Sequence, residues 1–483
     1  MKLLLRFASG PITFLLLYLL PMGELSPQAR TALAVFGWMI AWWMTQPMPW
    51  AISSLLPLIL FPMLQLMSIG NTVGLYGQEI FFWIWGTVMM GYALDRHGLA
   101  KRFALWFLSL PFIGGSTQRL AFGFMVATGL ISMIISDAAT VAMMIPVGVS
   151  LVSYVRTVSN IPKEAKSNFG AFIALGTLYG AVAGGTTTLA GLPHNAVSNS
   201  LLQSLTGEGL TWFGWMKAGV PIFLVTVVIF YFLLLFFFPP EMKIIPGGEE
   251  YLQSERNKLG AWSAGEKATF AVFVTMALLF TLPTFIGFAF GPGHSVTRWS
   301  AMALSSYVVP PTILMLLFCV PVNWRKGEFV LESKDALAHT PWNILLLCTA
   351  APAVVDALVE FGFVEVAGSW IGGLGLGQTS LPIAAALIVA FMTNFISGIA
   401  ATSLAGSILI PAAVEIGWNP ASMAMLIPNV ALGIAFPWAG AAAGTAFATG
   451  EIDIKHMVRV GMVATVLFAV AVAIIHMLMA PIL

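Results

Sequence analysis

Residues 115–147 read GSTQRLAFGFMVATGLISMIISDAATVAMMIPV, and this stretch decides the fold. From residue 120 to residue 155 the chain carries one charge, Asp137. That window is too long for one membrane crossing of about 20 residues and too short for two crossings and a loop. Small and polar residues interrupt it halfway. Such a pattern predicts a re-entrant hairpin whose irregular tip lines a cavity, because lipid cannot satisfy free backbone groups. The alternative is two short helices joined outside the membrane.

The rest of the chain supports a membrane setting. Of 483 residues, 59% are hydrophobic and 8% charged, against about 25% charged in soluble domains. Twenty-one Lys and Arg face 20 Asp and Glu, for a net charge of +1, so no basic face exists for nucleic acid. The only cysteines, Cys319 and Cys348, exclude a disulfide framework or a Cys-rich metal site. Residues 7–23, 218–240, 268–297, 299–324 and 460–483 are charge-free, and each suits one span. Residues 31–78 suit two spans, separated at Pro47-Met48-Pro49, where proline ends or kinks a helix. Residues 366–414 are charge-free and broken by glycines and a polar patch, which predicts a second hairpin. The N-terminal apolar run reads as a first span and not a cleaved signal. Lys2 and Arg6, the loop of Arg156, Lys163 and Lys166, and the loop 241–267 with Lys243, Arg256, Lys258 and Lys267 are expected on the cytoplasmic side. The expectation is a multi-pass protein of the cytoplasmic (inner) cell membrane.

The pattern occurs twice. Residues 81–99 form an apolar helix ending in Leu94-Asp95-Arg96-His97-Gly98-Leu99, and 343–363 one ending after Asp356 at Glu360-Phe361-Gly362-Phe363. Each precedes an amphipathic stretch, a hairpin ending in proline (Pro146, Pro411) and a Gly/Ala/Thr-rich segment, 171–202 or 423–450. Paired Gly/Pro-interrupted apolar segments point to a secondary transporter with inverted repeats and a site between them near the bilayer midplane.

Several polar groups could reach a solute or coupling ion. Asp137 stands alone among apolar residues, where a carboxylate is costly and marks function by default; the competing role is a cap that accepts backbone N–H groups. Thr186, Thr187 and Thr188 follow Gly184-Gly185, where unwound backbone and hydroxyls could hold an anion, or the threonines back-bond to helix carbonyls. His194 and Asn195 follow Pro193 in the same break, and His194 is either a titrating group or a hydrogen-bonded structural one. The second hairpin offers Thr393, Asn394, Ser397, Thr402, Ser403 and Ser407. Asp95, Asp356, Glu360 and Glu365 lie at expected span ends and read as solvated charge. His97, His294, His339, His456 and His476 show no ligand spacing. No Walker motif, Rossmann fingerprint or nucleophile elbow is present.

These residues resemble the divalent anion:sodium symporters, which carry di- and tricarboxylates or sulfate. The likeness runs almost end to end. AWWMTQPMPWAISSLLPLILFPMLQLMS (41–68) resembles the family's early segment, 115–147 its first hairpin and GGTTTLAGLPHNAV (184–197) its first broken helix. FPWAGAAAGTAFATGEIDIKHMVRVG (436–461) resembles its second broken helix and the start of its last span. The resemblance implies an all-α polytopic homodimer of about eleven spans plus two re-entrant hairpins. It also implies a scaffold domain and an elevator-type transport domain. On this chain the scaffold is expected at 1–110 and 241–375, the transport domain at 111–240 and 376–483.

The departures are informative. The family carries Ser-Asn-Thr at each hairpin tip, binding substrate carboxylate and supporting sodium sites. The first tip here reads Ser136-Asp137-Ala138. The second reads Ser397-Gly398-Ile399 when counted from the upstream FMTNFI, or Ala401-Thr402-Ser403 when counted back from Pro411. The two readings differ by four residues, about one helical turn. The family's Thr-Pro-Pro-Asn is reduced to Leu192-Pro193-His194-Asn195 and to Gly440-Ala441-Ala442-Ala443. An acid where an anion should sit repels it in a low dielectric. The repulsion is relieved if Asp137 is protonated, if it is a sodium ligand, or if the solute is less anionic.

The function expected is therefore a secondary active transporter of a small organic or sulfate-like anion, driven by Na+ or H+, with no enzyme cofactor. Substrate contacts are expected from Ser136, Asp137, Thr187, Thr188, Asn195, Ser397, Thr402 and Ser403. Ion coupling is expected from Asp137, Ser136, Gly185, Gly191 and His194, with Asp137 a candidate sodium ligand. The alternatives are a receptor-like paralogue without turnover and an uncoupled exchanger. An intramembrane enzyme would need Asp137 and His194 to meet.

Overall fold

The computed structural model describes residues 2–23, 25–77, 79–113, 115–159, 161–162, 166–291, 294–305, 308–340, 342–363, 366 and 375–483. Lys163, Glu365 and most of the second amphipathic stretch lie outside them. The described residues are helical apart from loops and one short antiparallel ladder, Pro321–Asn323 with Glu328–Phe329. Among the described residues, six helices can cross a membrane by length and composition: Asp137–Val158, Asn168–Gly185, Trp212–Phe237, Ala264–Phe290, Gly398–Glu415 and Ile454–Ile482.

Both expected hairpins are helix–turn–helix units. Hairpin 1 has arms Thr117–Ser132 and Asp137–Val158; hairpin 2 has arms Ser380–Met392 and Gly398–Glu415. Each is followed by a broken helix, Asn168–Gly185 with Pro193–Thr206 and Pro420–Val430 with Ala441–Phe447. Two charge-free windows differ from expectation. Residues 299–324 fall into the end of Ser295–Ala303 and a separate helix Val309–Cys319, because Pro310-Pro311 supply no N–H to continue a helix. The second half of 31–78 is Trp50–Ser53, Leu56–Met63 and Ile69–Tyr76, interrupted by prolines and by Gln65 at φ 55°.

Small residues set the packing of the first repeat. The first arm of hairpin 1 lies along Asn168–Gly185, backbone against backbone: a methyl at Gly184 would stand 2.0 Å from the Gly129 carbonyl oxygen. Such small-residue contacts let membrane helices approach closely where no hydrophobic force drives them together. The second arm of hairpin 2 packs on Pro193–Thr206 as well as on Pro420–Val430, and so joins the two repeats. Val35, Phe36 and Met39 share a core with Ala350, Val354 and Leu358, apart from the larger core that holds both broken helices.

Charged groups secure one end of the first repeat. Arg156, ending hairpin 1, meets Glu451 at 2.8 Å, and Lys166 pairs with Asp453. Glu241 accepts from the N–H groups of Asn168 and Phe169, the latter at 3.2 Å, where a carboxylate complements the positive end of the helix. The inter-repeat linker clasps hairpin 1: Thr117 N–H donates to Lys243 O at 3.1 Å, Tyr154 Oη to Pro246 O at 2.7 Å, and Tyr251 Oη to Ser150 O at 3.2 Å.

Candidate functional site

The two hairpin tips have the same backbone shape. Ser136 is the N-cap of its arm at φ −53°, ψ 148°, and Ser397 of its arm at φ −65°, ψ 147°. The tip equivalent to Ser136 is thus Ser397, and the extra turn lies within the unbroken helix before Pro411. Four added residues make about one turn and keep the helix face unchanged. Thr402 and Ser403 lie inside this arm and away from the tip; Ser403 Oγ donates to Ile399 O at 2.8 Å.

The tips differ chemically. Ser397 Oγ accepts from Ala400 N–H at 3.1 Å, whereas Ser136 Oγ makes no capping bond. Asp137, next in the chain, accepts from Ala138 N–H at 2.8 Å. It stands in the first turn of its arm, where the helix end stabilises an anion. The N-cap position itself belongs to Ser136, and the hydrogen bond of Asp137 reaches only its neighbour in the chain.

Behind the first tip lies the break at residues 186–192. Its loop closes on itself: a methyl at Gly191 would stand 2.3 Å from Gly185 O, so no side chain fits there. Asn195 holds the loop from outside, donating to Gly185 O at 3.0 Å and to Thr188 O at 2.8 Å. Thr188 Oγ1 donates to Met133 O in the hairpin turn, locking break to tip. Trp215 Nε1 donates to Thr186 O at 3.1 Å. Three buried polar atoms here have no partner among the described residues: Thr187 Oγ1, His194 Nε2 and Asn195 Oδ1. An unpaired buried polar group costs about 1–3 kcal/mol, and three such atoms gather here, one in the loop and two in the first turn of the helix that follows it.

His194 leads into the other repeat. Its ring neighbours the Pro428 carbonyl, and a methyl at Gly398 would stand 3.1 Å from His194 Cε1 and 2.5 Å from Ala431 O. Asp137 forms no hydrogen bond or ion pair with His194 among the described residues.

The second break, 431–440, has no hydroxyl or carboxamide of its own. Asn394 from the hairpin 2 turn supplies one, accepting from Ala435 N–H at 2.9 Å while donating to Ala390 O at 2.9 Å. Phe436 stacks on Trp438, which is 64% exposed. Sequence reasoning noted Asn394 without separating it from its neighbours. It did not find the buried cluster of Ser422, Asn429 and His476, in which Ser422 Oγ donates to His476 O at 3.1 Å and Asn429 Nδ2 lies 3.3 Å from His476 Nε2. The missed signal was polar residues falling on inward faces of otherwise apolar helices.

A cavity of about 130 Å³ joins the first tip to the helix Glu79–Arg96. Ser136, Ala190 and Pro193 form one wall, and Thr87, Tyr92 and Asp95 the other. It is smaller than the roughly 300 Å³ at which ligand pockets begin. Asp95, expected as plain solvated charge, is exposed but also borders this space.

Two hairpins whose tips face two broken helices, with unpaired buried polar atoms gathered mainly at the first break, define a polytopic membrane carrier. The whole chain, residues 2–483, matches the family model for the sodium:sulfate symporter transmembrane region, and the chain belongs to that family. It is a membrane transporter and not an enzyme. The sodium-dependent dicarboxylate transporter SdcS of Staphylococcus saprophyticus is 28% identical to it, over 98% of this chain and 91% of that protein. The protein of the same name from Staphylococcus aureus is 27% identical, over 98% and 90%. Among solved structures, the YdaH transporter of Alcanivorax borkumensis superposes with a TM-score of 0.56 at 12% identity, over 86% of this chain and 87% of that one. MtrF of Neisseria gonorrhoeae gives 0.56 at 13%, over 86% and 83%. These two similarities establish the shared fold.

Proposed function

We propose that the protein is a sodium-coupled secondary transporter of small dicarboxylates in the cytoplasmic membrane. The observation that carries this reading is the set of orphaned atoms at the first break. Thr187 Oγ1 and Asn195 Oδ1 are neutral hard oxygen donors, the type that suits an alkali cation, and the dicarboxylate relatives are named sodium-dependent. Ser136 Oγ, with no capping duty, faces the solute. Sodium bound beside Asp137 offsets the repulsion between that acid and a dianion.

Residues 111–240 and 376–483 act as the transport domain against a scaffold of 1–110 and 241–375. In support, the small cavity lies on the seam between the first tip and the helix Glu79–Arg96. Admitting a larger solute requires these walls to part, as an elevator movement does. A homodimer, with the partner joined through the scaffold, completes the reading.

Uptake of labelled succinate, citrate and sulfate into proteoliposomes tests it. Accumulation driven by an imposed sodium gradient and absent with potassium is expected, with succinate preferred. Accumulation that follows a proton gradient alone would overturn the coupling ion. No accumulation of any of the three would favour a receptor-like protein.

A further inference from the structure

We propose that an anionic phospholipid of the cytoplasmic leaflet binds in the groove between hairpin 1, the amphipathic helix Leu99–Leu108 and the start of Ala264–Phe290. The groove measures about 660 Å³, within the roughly 300–1,000 Å³ of small-molecule sites. Its walls are apolar: Leu99 and Phe103 on one side, Ile131 and Ile134 on the hairpin, Phe270 and Phe273 on the third. A groove so lined, in a membrane protein, suits an acyl chain.

Its mouth is of a different character. Arg102, Arg256 and Trp262 border it. Arg102 is committed: its Nε bonds Glu266 at 2.5 Å, Nη1 bonds Gly260 O at 3.0 Å, and the guanidinium lies over Trp262 at 5.6 Å. Arg256 is exposed and enters none of the ion pairs found among the described residues. Trp106 and Trp262, 45% and 42% exposed, are the amphipathic aromatics that anchor at headgroup level. A free guanidinium fork above an apolar slot complements a phosphodiester with its tail beneath it. The same loop carries the basic residues that place it on the cytoplasmic side, where anionic lipids concentrate. The seated chain would touch Ile131 and Ile134, just ahead of Ser136 at the tip.

Native mass spectrometry of the purified full chain, titrated with phosphatidylglycerol or with phosphatidylcholine of the same acyl chains, tests the proposal. Wild type should retain one phosphatidylglycerol about fivefold more readily than phosphatidylcholine, the discrimination one basic residue supplies at an anionic surface. Arg256→Gln, at an exposed position, should remove that preference. Ile134→Trp, which fills the slot, should abolish retention of both lipids. Equal retention of the two lipids by wild type would overturn the proposal. So would an unchanged preference in Arg256→Gln, or undiminished retention in a folded Ile134→Trp.

Discussion

The two breaks occupy matching places in the repeats, yet they are made of different matter. The first, at 186–192, is flanked by His194 and Asn195, carries three threonines and leaves buried polar atoms unpaired. The second, at 431–440, is alanine, glycine and apolar residues and borrows its polar support from Asn394, with Asn429 Oδ1 just ahead of it the one unpaired buried polar atom beside it among the described residues. The tips repeat the contrast: Ser136 is uncommitted and followed by an acid, while Ser397 is committed to its helix and followed by glycine. Similar backbones therefore hold different chemistry. We infer that the first repeat carries the ion and charge chemistry, and the second shapes the space for the solute.

The strongest challenge to this division is to remove the acid that only one tip has. Asp137→Asn should lower the sodium requirement of uptake by one ion per solute and change the KM for succinate at least about tenfold, the effect of about 1.4 kcal/mol. A Hill analysis of sodium-dependent uptake measures it, and an unchanged sodium order would show that Asp137 takes no part in ion coupling. Next in size, Asn195→Ala removes both loop contacts and the orphaned Oδ1. A stability loss of about 1–3 kcal/mol is expected, with uptake lost even from folded protein. Asn394→Ala should cost similar stability while leaving the sodium affinity of the remaining folded transporter near wild type; equal loss of sodium affinity in both variants would erase the asymmetry. Smallest is the serine pair. Ser397→Ala removes a cap and should cost about 1 kcal/mol, read as a lower Tm. Ser136→Ala removes no cap, so its Tm should hold while its KM rises.

Much of this was legible in the sequence because the membrane restricts it. A charge-free window of unsuitable length, with Ser136-Asp137 in its middle, predicts a hairpin, and the hairpin is there. The Gly184-Gly185 and Pro193 pair brackets a break that the structure places at 186–192. The register of the second tip was not legible, since a four-residue insertion preserves helix periodicity, and only the torsions of Ser397 distinguish it from Thr402. Nor could spacing show that His194 crosses to Gly398 and Pro428 while Asp137 bonds its own helix end. Those contacts join residues far apart in the chain, and such partners leave no local pattern. The windows 299–324 and 31–78 predicted whole spans because hydropathy does not register the prolines that divide them.

The most direct test of ion binding at the first break is the sodium dependence of Tm for wild type and Thr187→Val. The substitution keeps the side-chain shape and removes a hydroxyl that has no partner among the described residues, so no hydrogen bond seen there is lost. Ligand binding raises stability as RT ln(1 + [L]/Kd). Wild type should gain Tm as sodium replaces potassium at constant ionic strength, and Thr187→Val should show a much flatter response from an equal or higher starting Tm. The same sodium response in both proteins would contradict an ion site at the first break.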